Sequence, residues 1–171
     1  MCRDIGARCP ALLDNSKAHP DAYKESAPGQ VSSLGVFLNQ EVSRMNGLLK
    51  VVKSTLDQLD RAIAGTVVMS AALEDMMNRM LDDKVPTQWE AVGFPSLKPL
   101  ASWVLDLIER VAFLGSWLYG GLPATYWVPA FFFPQGFMTA EMQTYARKNE
   151  TPINALQFKT NVLPFMADQA T

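Results

Sequence analysis

From Leu38 onward the apolar positions fall at Leu38, Val42, Met45, Leu49, Val52, Leu56, Leu59 and Ile63, alternately four and three residues apart. That spacing keeps one stripe on one helical face, so the pattern predicts a long amphipathic helix. Gly65 stands where a helix C′ residue belongs, because glycine takes the left-handed conformation without strain. Val67, Val68 and Met69 are then expected to pack back on the preceding turn. Ser70 offers an N-cap oxygen, and Glu74 and Asp75 suit the positive end of the next helix dipole. Leu73, Met76, Met77, Met80 and Leu81 give that helix its apolar face. The two helices together predict an antiparallel hairpin.

A connector holding Pro86, Trp89, Phe94 and Pro95 follows, and Ser96 with Pro99 signals another helix start. Leu100, Val104, Leu107, Val111, Leu114 and Leu118 repeat the same spacing until Gly120-Gly121 stops it. Pro134 fits the first position of a fourth helix, with Phe137, Met138, Met142 and Tyr145 on one face and Arg147 and Lys148 at its negative end. Past Pro152, Leu156, Phe158, Thr160 and Val162 alternate with Gln157, Lys159 and Asn161, the period of a half-buried strand. One strand cannot satisfy its own backbone groups, and no other segment offers a convincing partner, so the sequence reads as cut short. Upstream, Pro10, Pro20, Pro28 and Gly29 interrupt any period, apart from a short helix expected around Ile5 to Leu13. The fold class expected is mainly α: a helical hairpin, two further amphipathic helices and one short strand near the C-terminus.

With 171 residues and 49% hydrophobic content, one domain is expected, and charged residues at 19% leave more apolar surface than a lone small domain needs. A net charge of −2 supplies no footprint for a nucleic-acid backbone. The third helix carries Asp106, Glu109 and Arg110 at its centre, and the Tyr126 to Phe133 run is far short of the roughly 18 apolar residues of a span, so no membrane segment is expected. Residues 1–14 lack the unbroken apolar centre of a signal peptide, which points to a reducing compartment with free thiols at Cys2 and Cys9.

Two cysteines and one histidine have no zinc spacing, and no catalytic nucleophile, base and orienting group can be assembled from them. His19 reads as a solvated side chain near Asp14, Ser16 and Asp21. Asp106 and Glu109 read as an exposed helix face supported by Arg110, and the methionines near Met76 as core. The stretch around Trp127, Phe131, Phe132 and Phe133 is more pointed. Pro129 and Pro134 hold it extended, as a linker packed between the third and fourth helices or as a docking element.

The runs "LNQEVSRMNGLL", "GTVVMSAALE", "PSLKPLASWV", "FFFPQGF" and "YARK", in that order, closely resemble the C-terminal region of dynein heavy chains of the axonemal type, over roughly residues 30 to 163. "HPDAYKES" looks more faintly like the segment joining the last AAA+ module to that region. Ala130 stands where the family usually has glycine, and the family continues with a β-rich part beyond this sequence.

The resemblance implies an organisation of residues 1–33 as lead-in from the last AAA+ module, 34–163 as the helical part of the C-terminal domain, and 164–171 as tail. It implies a non-catalytic structural or regulatory piece packed on the AAA+ ring of its parent heavy chain, which would be a minus-end-directed, ATP-driven microtubule motor. No cofactor is expected here: ATP and Mg belong to the parent ring, and no phosphate loop of the form G-x-x-x-x-G-K-[ST] occurs in this sequence. Further expected partners are other dynein or axonemal subunits, with microtubules only indirectly. The expected place is the cytoplasm and cytoskeleton, in the axoneme of a cilium or flagellum. Trp103, Trp117, Trp127, Phe131, Phe132, Phe133 and Phe137 are the expected packing and docking anchors. The alternative is a stand-alone truncated relative serving as an interaction protein in an axonemal or cytoskeletal assembly.

Overall fold

The computed structural model describes residues 2–27 and 29–162. It is mainly helical: α1 (Cys2–Arg8), α2 (Ser33–Ile63), α3 (Ala71–Leu81), α4 (Thr87–Glu90), α5 (Leu100–Gly120) and α6 (Pro134–Lys148). The tail expected at 164–171 lies outside the described residues. Two compact units share the sequence. The first comprises Met1–Leu13 and Val42–Ala112, the second Asp14–Glu41 and Phe113–Thr171, so α2 and α5 each contribute residues to both.

In the first unit the α2 stripe is buried from Val42 through Leu59 as its spacing requires, whereas Ile63 is 57% exposed. Gly65 has φ +74°, its N–H reaches the Ala62 carbonyl, and the Thr66 N–H reaches that of Arg61, the paired bonds of a Schellman stop. Of the three residues expected to pack back on the helix, Val68 is 85% exposed and does not, whereas Val67 and Met69 are each 37% exposed. Ser70 caps α3 through the Leu73 N–H. On α3, Leu73, Met76 and Met80 are buried and Leu81 is exposed.

The connector holds more structure than its prolines suggest. α4 places Trp89 in the core, where its indole N–H donates to Thr55 Oγ1 at 2.9 Å and its ring stacks on Trp103, which stacks on Phe94. Asp83, at φ +56°, caps α5 from a distance: its carbonyl accepts the Leu100 N–H and its carboxylate the Ala101 N–H. Asp106 corrects the reading of an exposed acidic face. It is buried, 3.0 Å from both Lys98 Nζ and Arg110 Nε, and the Arg110 guanidinium lies 3.9 Å over the Phe94 ring; Glu109 alone is exposed. α1 ends at Arg8, earlier than expected, because the residue before Pro10 is pushed out of helical backbone.

In the second unit the lead-in is more ordered than expected. Residues Asn15–Lys17 and Pro20–Tyr23 form single 3₁₀ turns, and β1 (Glu25–Ala27) pairs antiparallel with β2 (Gln30–Val31) around Gly29 at φ +75°. Ser32, just before α2, accepts the Gly35 N–H at 3.1 Å and caps the helix, which therefore begins before Leu38. His19 is a cap and not simply solvated: its Nδ1 accepts the Asp21 N–H at 3.1 Å and its backbone N–H donates to the Leu118 carbonyl. The strand expected at 156–162 does not form. Residues 153–155 make a 3₁₀ turn, 156–162 join no ladder, and the only ladder among the described residues is β1–β2. Alternating side chains cannot make a strand without a partner for the backbone.

Replacing Gly65 by alanine forces a Cβ into left-handed backbone. A loss of about 1–2 kcal/mol is expected in urea unfolding, whereas Gly47→Ala, in the α2 interior with open space around it, is expected to be neutral or stabilising.

Candidate interaction site

The aromatic stretch between α5 and α6 lies wholly in the second unit. After Gly121 closes α5 with φ +87°, the backbone makes a 3₁₀ turn at Val128–Ala130 and then extends from Phe131, at φ −78° and ψ 148°, to Pro134 at the first position of α6. Pro129 and Pro134 fix φ at their own positions and donate no N–H, so the loop's amides must find acceptors elsewhere.

Glu41 supplies them. It sits on the buried face of α2, fully enclosed, and its carboxylate accepts the Phe132 N–H at 2.6 Å and the Phe133 N–H at 3.2 Å. A buried carboxylate is costly unless hydrogen bonds compensate it, and the positive end of the α6 dipole beside these amides favours the negative charge. The acid therefore fixes both ends of one arrangement: α2 at residue 41 and the loop immediately before α6.

Around this clamp the rings form one cluster. Phe131 meets Phe37 edge-on at 4.9 Å between centroids, Phe137 at 5.1 Å, Phe113 at 5.8 Å and Trp117 at 6.1 Å. Tyr126 lies 4.7 Å from Phe137 and 5.1 Å from Trp117, and Trp127 meets Phe113 edge-on at 6.2 Å. Such offset and edge contacts add about 0.5–1.5 kcal/mol per pair beyond area burial. Burial among these rings, with Glu141 as a smaller influence, pushes the Tyr126 phenol up to about 12, and burial also raises the Glu141 carboxyl.

The expected anchors separate into two kinds. Trp117, Phe131 and Phe137 are enclosed in this cluster, and Trp103 is enclosed in the first unit against Trp89 and Phe94. These four hold the fold together and present almost no surface. Trp127 and Phe132 are half-buried and Phe133 is 50% exposed, so only these three retain surface for a partner. A groove of about 540 Å³ runs beside Trp127 and Tyr126, with Phe113 and Pro123 in its wall.

Phe37, Tyr126 and Glu41 are missing from the expected set. Phe37 stands one residue before the stripe's first counted position. Glu41 lies three residues after Leu38 on the stripe itself, and an acid on an apolar face was the available signal. Among the described residues no group of three or more His, Cys, Asp or Glu could hold a metal ion, and no helix is long and apolar enough to cross a membrane.

The sequence matches the family model for the C-terminal domain of the dynein heavy chain over residues 1–171. It is 45% identical over 170 residues to dynein axonemal heavy chain 6 of Homo sapiens, covering 99% of this chain and 4% of that protein. Dynein axonemal heavy chain 3 of Mus musculus is 41% identical over 96% of this chain and 4% of its own length. Dynein axonemal heavy chain 1 of Rattus norvegicus is 38% identical over 99% of this chain and, again, 4% of its own length. These 171 residues thus span a small fraction of the relatives they match.

Glu41→Ala strips the acceptor from two amides, and a loss of about 2–5 kcal/mol in chemical unfolding is expected. Glu41→Gln, which keeps an acceptor oxygen, is expected to lose less. Tyr126 tests the cluster through pH. A phenol whose folded value is raised stabilises the fold fully below about pH 10 and loses that contribution as pH climbs toward 12. Absorbance titration of the four tyrosines should show a late-ionising phenol that Tyr126→Phe removes. Burial also raises the Tyr23 phenol, so the step that must vanish is the one near pH 12; its survival in Tyr126→Phe would contradict the packing.

Proposed function

This chain belongs to the family of dynein heavy chain domains that lie at the C-terminus, and we propose that it is a non-catalytic brace packed on the AAA+ ring of its parent heavy chain. Its task is mechanical: to hold ring modules in relative position so that nucleotide state is coupled to stepping. The observation that carries this reading is the clamped loop, in which Glu41 fixes the backbone of Phe132 and Phe133 while Trp127, Phe132 and Phe133 keep uncovered aromatic surface. A rigid aromatic anchor loses little entropy when it docks, which suits a permanent internal contact.

The parent is then an ATP-driven, minus-end-directed microtubule motor whose ATP and Mg sites lie in the ring. This domain touches microtubules only through it. The axonemal names of the relatives support a place in the axoneme of a cilium or flagellum, beside other dynein subunits. Buried tryptophans and the Asp106 pair serve the brace by stiffening it, not by reacting.

The test is made in the full-length heavy chain. Phe132→Asp places a charge at the half-buried docking ring; microtubule gliding should slow while nucleotide binding to the ring is retained. Gliding equal to the parent's, with an unchanged domain cross-linking pattern, would refute the brace.

A further inference from the structure

Past α6 the backbone turns back on itself within the second unit. The helix ends at Lys148, Glu150 takes a left-handed φ of 51°, and the 3₁₀ turn at Ile153–Ala155 lies against α6. A groove of about 470 Å³ runs between them, walled by Glu141, Met142, Tyr145 and Lys148 of the helix and by Leu156 and Phe158 of the returning segment. A short set of hydrogen bonds latches the turn. Asn149 gives its backbone N–H and its side-chain amide to the Tyr145 carbonyl, at 3.0 and 2.9 Å. Thr151 gives its N–H to the Ala146 carbonyl at 3.0 Å and its hydroxyl to the Asn149 carbonyl at 3.1 Å.

Thr151 is also the one serine or threonine in the sequence that is followed by proline. Pro152, at φ −60° and ψ 132°, is extended, donates no N–H, and keeps the residue before it out of helical backbone. A hydroxyl placed ahead of such a residue fits a protein kinase whose pocket for the next position takes a ring and asks for no amide donor. Access is open: Thr151 is half-buried, but residues 147–150 and 152–155 on either side are all exposed. The hydroxyls of Thr139 and Thr144 differ, because each lies inside α6 and donates to a carbonyl one turn back, at Gln135 and Ala140.

We propose that Thr151 is a phosphorylation site for a proline-directed protein kinase, and that the phosphate unlatches the turn after α6. In the transfer Thr151 Oγ1 attacks the γ-phosphorus of ATP, the bond from that phosphorus to the bridging oxygen breaks, ADP leaves, and the hydroxyl proton passes to the kinase's carboxylate base. The esterified oxygen has no proton left to give, so the bond to the Asn149 carbonyl is lost. Two electrostatic effects act in the same direction. The phosphate lies beside the last carbonyls of α6, at the negative end of its dipole, and next to the Glu150 carboxylate. Phosphorylation therefore releases the segment that walls the groove and leaves the face of Tyr145 and Met142 open.

The experiment incubates the folded 171-residue chain with ATP, Mg and a cyclin-dependent protein kinase, then maps phosphopeptides by mass spectrometry. Phosphate should appear on Thr151, persist in Thr151→Ser and vanish in Thr151→Ala. Pro152→Ala, which keeps the hydroxyl but removes the ring, should lower incorporation about tenfold. Hydrogen exchange then reads the latch, with the free phosphopeptide as reference for intrinsic rates. Protection of the Asn149 and Thr151 amides should fall about tenfold on phosphorylation while α5 keeps its own. No incorporation into the folded chain, or incorporation that Thr151→Ala leaves undiminished, overturns the site. Protection at Asn149 and Thr151 that is unchanged or increased in the phosphorylated chain overturns the unlatching.

Discussion

The aromatic loop of the second unit depends on one buried carboxylate. Glu41 is fully enclosed, and enclosing an anion is unfavourable by several kcal/mol unless its oxygens are occupied. Two consecutive amides of a proline-bounded loop occupy them. The reciprocity is what makes the arrangement specific: the loop amides lack helix or strand partners, and the acid is shut away from bulk solvent. Each satisfies the other only when α2 and the start of α6 are in register, so the clamp selects one packing of the aromatic rings among the many that a greasy loop would otherwise sample.

The first unit uses a related device in a different place. Asp106 lies on the buried face of α5 and is bracketed by Arg110, one turn on, and by Lys98 from the connector, while Arg110 covers Phe94. The stacked Trp89, Trp103 and Phe94 add an aromatic hold on the same connector. In both units an acid on an apolar stripe ties an irregular, aromatic-rich segment to a long helix. That recurring logic explains how so much of the fold's order lies in segments without regular secondary structure.

Periodicity made the helices legible. Stripe spacing located α2, α3, α5 and α6, and residue chemistry located their ends: Gly65 and Gly121 at positive φ, Ser70 as a cap, Pro134 as a first turn. Resemblance of "PSLKPLASWV" and "FFFPQGF" to one family supplied the identity that periodicity could not. What escaped was long-range. Glu41 pairs with amides 91 and 92 residues away, and Asp83 caps a helix from outside it, so local propensity contains neither bond. The alternation at 156–162 misled for the same reason, since a strand is a property of two segments and only one was on view. Burial split the seven aromatic anchors because size and aromaticity alone do not say which rings face inward.

Hydrogen exchange of individual backbone amides, followed by NMR or mass spectrometry, tests the clamp most directly. Phe132 and Phe133 sit in a loop with no ladder, and the Glu41 carboxylate accepts both of their N–H groups. Protection at both amides as strong as inside α5, lost in Glu41→Ala while α5 stays protected, is the predicted result. Exchange at Phe132 and Phe133 as fast as at the exposed residues around Ile153 would contradict the clamp.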